Sequence, residues 1–425
     1  MNKYNSVIKL FLFSACYLST NTFAVENKVP EPLSSKQAIE RALDNNPNLA
    51  VINARFLALS EIPIQVRALP EPQFKFNVAN LPLDSFALDQ TPMTQIQLGI
   101  TQALPYPGKL SLKAQIASQI ATASNANWLD AKRELTKKVR QQWWQLFYLD
   151  HALEIIARNF VILEQFIEVA ETKYSVGQGL QQDILLAQVE SHRLHDTKLQ
   201  ITSMRETTQA NLNNLMGKPS NPLIKIAKTV EIDLPKLNKS TEYLNQAKQQ
   251  RPDMKREKLF ADAAETRLAL AKKDFYPDFQ LSALYGWRKN QTGLASLQFS
   301  VNIPWDTSSR QNPAKDQRNM EWKQQKYAIN ALENRIAEEI QIAVSNFKRA
   351  NQQVTLFSDA IIPKAEQMVE AMLAGYQVNK VDFLTLLRAQ ITLFNYETQY
   401  WQSISLAKQS LAALDAAIGQ EVSHE

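Results

Sequence analysis

The sequence predicts a mainly α-helical chain with a transmembrane β part, in which a helix–strand–strand–long helix–helix unit occurs twice. Three observations lead there. The first is a run without helix breakers: between Pro107 and Gly177 there is no proline, and the only glycine is Gly108. Glycine and proline are the residues least compatible with a helix interior. About 65 residues of helix follow, a rod roughly 100 Å long at 1.5 Å per residue. The second is internal repetition, a sign of duplicated architecture. Tyr174-Ser175-Val176-Gly177 returns as Tyr376-Gln377-Val378-Asn379, and Ala187-Gln188 and Ala389-Gln390 follow at the same spacing. Upstream, Asn46-Pro47-Asn48-Leu49 pairs with Arg251-Pro252-Asp253-Met254, and Pro72-Gln73-Phe74 with Pro277-Asp278-Phe279. The third is strict apolar–polar alternation in four short runs.

Composition agrees with long regular elements. The 425 residues include only 9 Gly and 18 Pro, and 45% are hydrophobic. A net charge of +5 with no dense basic block argues against nucleic acid as a partner. The single cysteine, Cys16, excludes an internal disulfide framework. Residues 1–24 have the layout of an export signal peptide: Lys3 and Lys9, a mostly apolar stretch from Val7 to Ser19, then Thr22-Phe23-Ala24 as a small-residue cleavage site. Phe13-Ser14-Ala15-Cys16 leaves a second possibility open, acylation of Cys16 as in a lipoprotein, with Phe in place of the usual Leu. No later stretch has the roughly 20 uninterrupted apolar residues of a membrane-spanning helix.

The first repeat covers 34–216. Ser34 or Ser35 caps an opening helix whose stripe is Ala38, Ile39, Ala42 and Leu43. Pro47 interrupts it by removing an amide donor, and it ends before Pro70. Strands are expected at about 73–79 and 94–104, a long helix at about 109–173 and a return helix at about 180–216. A linker follows at 217–240, opened by Gly217-Lys218-Pro219. The second repeat, 241–418, has strands at about 278–287 and 295–303, joined by a turn at Lys289–Gly293. Its long helix runs at about 308–375 and its return helix at about 381–418.

In the strands, Phe74, Phe76 and Val78 alternate with Gln73, Lys75 and Asn77, and Ile96, Leu98 and Ile100 with Gln95, Gln97 and Gly99. Phe279, Leu281, Ala283 and Tyr285 alternate with Gln280, Ser282 and Gly286; Leu297, Phe299 and Val301 with Gln298, Ser300 and Asn302. Period two gives each strand one apolar and one polar face, at the length a tilted strand needs to cross a bilayer. Aromatics near the strand ends (Tyr106, Tyr276, Trp287, Trp305) fit interfacial girdles. The competing reading is a pair of hairpins covering a soluble core, but the rods are too long to serve as their cover. In hydrocarbon no sheet edge can stay unpaired, and four strands cannot close a barrel around a water-filled lumen. Three chains with four strands each, a homotrimer with a 12-stranded β-barrel, are the smallest arrangement that does.

The second rod carries its stripe at Leu332, Ile336, Ile340, Ala343, Phe347, Ala350, Val354, Phe357, Ile361, Ala365, Met368, Met372 and Tyr376. The mean spacing of about 3.7 nearly equals the helix period, so the seam barely drifts and the rods can stand as staves of a long α-helical barrel. Pro363 is expected to kink this rod.

These features together, and the Tyr-x-Val-Gly turn, resemble the TolC-like outer-membrane efflux proteins. Leu104-Pro105-Tyr106-Pro107-Gly108-Lys109-Leu110 is similar to the heavy-metal branch of that family, the CzcC- and CusC-like proteins. The resemblance implies a trimer in outer-membrane lipid with a helical tunnel through the periplasm. It also implies docking on a periplasmic membrane fusion (adaptor) protein and on an inner-membrane pump of the resistance-nodulation-division (RND) class. It implies that the two turns form the periplasmic tip, where adaptors bind and the tunnel closes. Those positions are Tyr174, Val176, Gly177, Gly179, Leu180 and Asp183 in the first repeat, and Tyr376, Val378, Asn379 and Val381 in the second. The residues supply a local reason of their own, since reversing two rods needs positive φ, which Gly and Asn tolerate. Where the founding member carries aspartates in the second repeat, this chain has Thr385 and Arg388, so an acidic ring at the constriction is not expected.

No catalytic constellation, phosphate-binding glycine loop, cofactor site or full metal-ligand set stands out. His192 and His195 are suitably spaced for a metal but have no third Cys or His ligand nearby, and read as surface residues. The chain is therefore expected to be a passive exit duct for heavy-metal cations or small toxic compounds, and not an enzyme. The alternative is a periplasmic adaptor with one long hairpin between Gly-rich β domains, against which stand two hairpins and few glycines.

Overall fold

The computed structural model describes residues 32–219, 223–227, 230, 232 and 234–420. The export signal at 1–24 and Cys16 lie outside the described residues.

The first repeat opens with α1 (Ser35–Asn45), α2 (Pro47–Ser60) and α3 (Ile62–Arg67). Ser34 closes a capping box with Gln37: each side chain bonds the other's backbone amide at 3.2 Å. Asn46 caps α2 by accepting from the Leu49 amide at 3.1 Å, and Pro47 sits in the first turn, where no amide is needed. Pro47–Arg67 is apolar and long enough to cross a membrane by composition, though Arg55 and Glu61 fall within it, so it is not an uninterrupted apolar stretch.

Next come β1 (Gln73–Ala79) and β2 (Gln95–Leu104), then α4 (Lys109–Ser175) and α5 (Gln181–Leu215). The second repeat has α6 (Ser240–Gln250), α7 (Pro252–Lys273), β3 (Asp278–Arg288), β4 (Gln291–Asn302), α8 (Asn312–Leu356), α9 (Ile362–Gln377) and α10 (Phe383–Ile418). The four strands form one antiparallel sheet in sequence order, with β1 and β4 each open on one edge.

Two expectations need correction. The turn expected at Lys289–Gly293 is only two residues long. Asn290 takes φ +57°, a bulge between Gly286 and Arg288 re-registers the ladder, and β4 already begins at Gln291. Gly293 lies in that strand, where its missing side chain makes room for the Tyr285 ring; a β-carbon there would lie 2.8 Å from Tyr285 Cε2. The second rod is also not one α-helix over 308–375. It opens with a π turn at Thr307–Gln311 and contains another at Phe357–Ile361. The second has a clear cause: Pro363 has no amide to offer the preceding turn, and the Ile362 amide bonds the Phe357 carbonyl instead. The stripe survives, and all thirteen positions are buried or half-buried.

The rods are held by several cores, the two largest of those that include α4 lying at mid-length and near the turns. At mid-length Trp143, Trp144 and Phe147 of α4 pack with Leu212, Met216 and Ile404. Near the turns Phe166, Leu163 and Ala170 of α4 pack with Ala187, Tyr376, Phe383 and Leu386. Within the span of this second core the buried Asn159 of α4 accepts from Gln390 Nε2 of α10 at 2.8 Å. Arg251, only 1% exposed at its side chain, pairs with Asp253, reaches Glu339 at 2.7 Å and donates to the last-turn carbonyl of Ala417 at 3.0 Å.

Candidate functional site

Two regions are candidates for function: the sheet at one end of the rods and the paired turns at the other. In the sheet, Phe74, Ile100, Ala283 and Leu297 follow one another across the register, as do Phe76, Leu98 and Tyr285. One face is therefore apolar from edge to edge. That face stands open, with Phe74 71% and Leu297 83% exposed, whereas Thr101 and Ser282 on the polar face are 1% and 3% exposed. The two hydroxyls bond each other at 2.8 Å. Among the described residues no other element packs on the sheet, so the burial of polar positions on its central strands comes from the sheet itself, which curls with polar groups inside and apolar groups outward. A soluble hairpin would do the reverse. At its base Tyr106 and Tyr276 stack at 4.6 Å, and Lys109 bridges Asp274 at 3.1 Å and Asp278 at 3.0 Å, which locks the start of α4 to β3. Gly108, at φ +92°, makes that corner.

At the other end each rod turns back in the same way. The amides of Gly177 and Gln178 bond the carbonyls of Tyr174 and Lys173 at 3.0 and 2.8 Å, and those of Asn379 and Lys380 bond Tyr376 and Gly375 at 3.2 and 2.9 Å. Both are helix C-caps with a left-handed residue, Gly177 at φ +73° and Asn379 at φ +59°. The next helices start differently. Asp382 caps α10 by accepting from the Thr385 amide at 2.7 Å, whereas Leu180 at the same place in the first repeat has no side-chain cap.

The turns lie side by side, tied by a residue that pattern reading missed. Lys173 donates to the Tyr376 carbonyl and to Asn379 Oδ1, and its ammonium sits 4.4 Å from the Tyr376 ring centroid. Tyr376 is buried against Phe383 at 5.4 Å. Burial, and then the charge of Asp183, push the Tyr376 phenol up. Burial likewise pushes the Asp183 carboxyl up, reinforced by the negative charge of Asp382. The amide of Thr385 holds Asp382 itself below the usual range. Thus Gly177, Asn379 and Tyr376 make the turn itself, while Tyr174, Val176, Leu180 and Val378 project from it exposed. Gly179 and Val381 pack against the preceding helix ends. Thr385 and Arg388 are both exposed on α10. Among the described residues no group of three or more His, Cys, Asp or Glu could hold a metal, and His195 packs edge-on against Phe160 at 6.4 Å. Lys173 was hidden in the sequence because its partners are two hundred residues away.

A curled sheet with an apolar convex face and two open edges, continued by rods of about 100 Å, defines a membrane-channel subunit with a long helical extension. The family described as "Outer membrane efflux protein" matches residues 38–218 and 243–420, and the chain belongs to that family. It is an outer-membrane efflux channel that extends into the periplasm. It is 20% identical over 394 residues to the cobalt-zinc-cadmium resistance protein CzcC of Cupriavidus metallidurans, covering 92% of this chain and 90% of that protein. The fold is similar to the crystal structures of CusC (TM-score 0.79, 17% identity, 91% and 92% of the two chains) and of VceC from Vibrio cholerae (TM-score 0.77, 17% identity, 91% and 96%).

Proposed function

We propose that this channel is the exit duct of a tripartite RND-type efflux system for heavy-metal cations. Three copies would each donate four strands to a twelve-stranded barrel and their rods to one helical tunnel. A periplasmic adaptor would link that tunnel to an inner-membrane RND pump, which supplies the energy and chooses the cargo. The observation that carries the reading is the sheet: its apolar convex face suits lipid, and its two open edges, which hydrocarbon does not tolerate, call for further copies. The metal cargo rests on the likeness to CzcC and on the Leu104–Leu110 corner, where Gly108 and Lys109 set the angle between sheet and rod. The exposed apolar residues of the turns, Val176, Leu180 and Val378 with Tyr174, are the adaptor contact.

A deletion strain tested metal by metal on cobalt, zinc, cadmium and copper, and on organic toxicants, checks this. The expected result is sensitivity to at least one metal, restored by the wild-type gene but not by Val176→Asp/Val378→Asp, which should still assemble in the outer membrane. Sensitivity to organic compounds alone would overturn the metal cargo. Absence from the outer-membrane fraction would overturn the duct itself.

A further inference from the structure

The four strands are nearly free of charge. β2 and β4 have no charged residue, β3 has them only at its first and last positions, Asp278 and Arg288, and β1 has Lys75 alone. At each end of the sheet acid and base meet. At the base Lys109 bridges Asp278. At the outer mouth Arg288 donates to the Thr292 carbonyl at 2.9 Å and the Pro92 carbonyl at 3.2 Å, and Lys289 pairs with Asp89 at 2.9 Å. Asp84, on the same loop as Asp89, offsets the arginine.

Lys75 stands between those ends. It shares the inward, polar face of β1 with Gln73 and Asn77, opposite to Phe74 and Phe76. Across the register its level runs through Gly99, Leu284 and Ser296. Gly99 offers it no side chain, and Leu284 leans over that gap: a β-carbon on Gly99 would lie 2.9 Å from Leu284 Cγ. Lys75 is exposed and forms no ion pair among the described residues. Closing the barrel supplies none either. β1 is an edge strand, and the strand that covers it from the next copy is β4, whose stretch Gln291–Asn302 holds no acid in any register. An inward lysine on an edge also guards a lone chain against mispairing, but that service ends once the edge is covered, whereas the charge remains.

We infer that three copies of Lys75 form a positive ring at mid-barrel, which makes the lumen favour anions and hold back bare divalent cations. The inference rests on the three-copy barrel proposed above. Twelve strands about 4.8 Å apart and tilted by about 40° enclose a backbone radius of about 12 Å. An inward lysine then brings its ammonium to within about one Debye length of the axis, about 8 Å at physiological salt. Three such charges favour a monovalent anion over a monovalent cation by about fivefold, and exclude a divalent cation by about as much. The pump drives cargo outward across this barrier, while a metal ion outside can return only by diffusion, so the ring slows return more than export.

A thiol placed at the level of the ring reads its field whether the periplasmic tip is open or closed. Ser296→Cys in the purified, detergent-solubilised full chain is reacted with methanethiosulfonates bearing a sulfonate or a trimethylammonium group. Rates are taken as the increment over the chain without the new thiol, in the heat-resistant form. The ratio of sulfonate to trimethylammonium rates should be about fivefold higher with Lys75 than in Lys75→Gln, and should collapse towards 1 M salt, where the Debye length is about 3 Å. Lys75→Arg should keep the ratio and Lys75→Glu should invert it. A ratio equal in Lys75→Gln, or one that salt does not change in the chain that keeps Lys75, would overturn the ring and leave the barrel standing. A thiol that neither water-soluble reagent reaches, or no heat-resistant form at all, would overturn the three-copy barrel and the ring with it.

Discussion

Replacing Gly179 with valine tests how the two turns are packed. The turns match residue for residue, so Lys173 and Gly179 of the first stand where Gly375 and Val381 stand in the second. Each crossing of loop over helix end holds one side chain, and the two repeats fill it from opposite sides. In the first, Lys173 occupies the space and Gly179 leaves it empty; in the second, Val381 fills it and Gly375 gives way. A β-carbon on Gly179 would lie 2.9 Å from Lys173 Cβ and 2.9 Å from the Tyr174 amide nitrogen, and that nitrogen is backbone and cannot rotate aside. At Gly375 the new atom meets a Val381 methyl at 2.6 Å and its Cβ at 3.3 Å, so side-chain movement relieves part of the strain.

Overpacking costs about 1–3 kcal/mol; Gly179→Val belongs at the upper end and Gly375→Ala at the lower. The loss falls on local opening of the tip, so amide exchange across 172–183 should quicken by about 5–150-fold. Hydrogen exchange read by mass spectrometry in detergent measures it, with the mid-length Trp143 region as an unchanged internal reference. Lys173→Gly/Gly179→Val transplants the second repeat's solution into the first. It should recover most of the protection lost by Gly179→Val, short of about 1 kcal/mol for glycine in a helix and of the Lys173 bonds, which Lys173→Gly alone reports. Wild-type exchange in Gly179→Val, or no recovery in the double variant, would refute the shared-space argument.

Two further outcomes follow from the sheet and from Asp183. Leu297→Arg, on the convex face, should cost about 2–4 kcal/mol of barrel stability, whereas Gln298→Arg, one residue on but facing inward, should cost little; the temperature at which the heat-resistant gel form is lost compares them. At the tip, the Asp183 carboxyl is raised by burial and by Asp382, so the folded turn favours its protonated form. That stabilisation is present below the ordinary carboxylate range, near pH 4, and is lost as pH rises through the raised value. Tip exchange, corrected for its intrinsic pH dependence, should therefore slow on acidification through that window in wild type and not in Asp183→Asn. Asp382 is lowered by the Thr385 amide and works the other way, losing its contribution only at still lower pH.

The features that the sequence made legible are those written in local spacing. Period two displayed the sheet's faces before any pairing was known, and an unbroken run from Lys109 displayed the rod, because both depend on neighbours a few residues away. What was not legible depends on which helices stand together. The Asn46-Pro47 and Arg251-Pro252 steps read as a repeated motif, the first of them also as a helix interruption. In the structure both also reach across to another helix. Asn46 Nδ2 donates to the Leu215 carbonyl at 2.8 Å, and Arg251 to the Ala417 carbonyl at 3.0 Å. Each repeat thus uses the residue before its proline to satisfy the last turn of its own returning helix. Asparagine does this with one amide. Arginine, with five donors, also takes in Asp253 and Glu339 and so joins three helices of the second repeat where the first joins two. Lys173 follows the same logic, since duplication placed two turns side by side and divergence let one side chain bond across them. After a duplication the shared pattern records the ancestral unit, and the contacts that hold the two copies together are found where the copies differ.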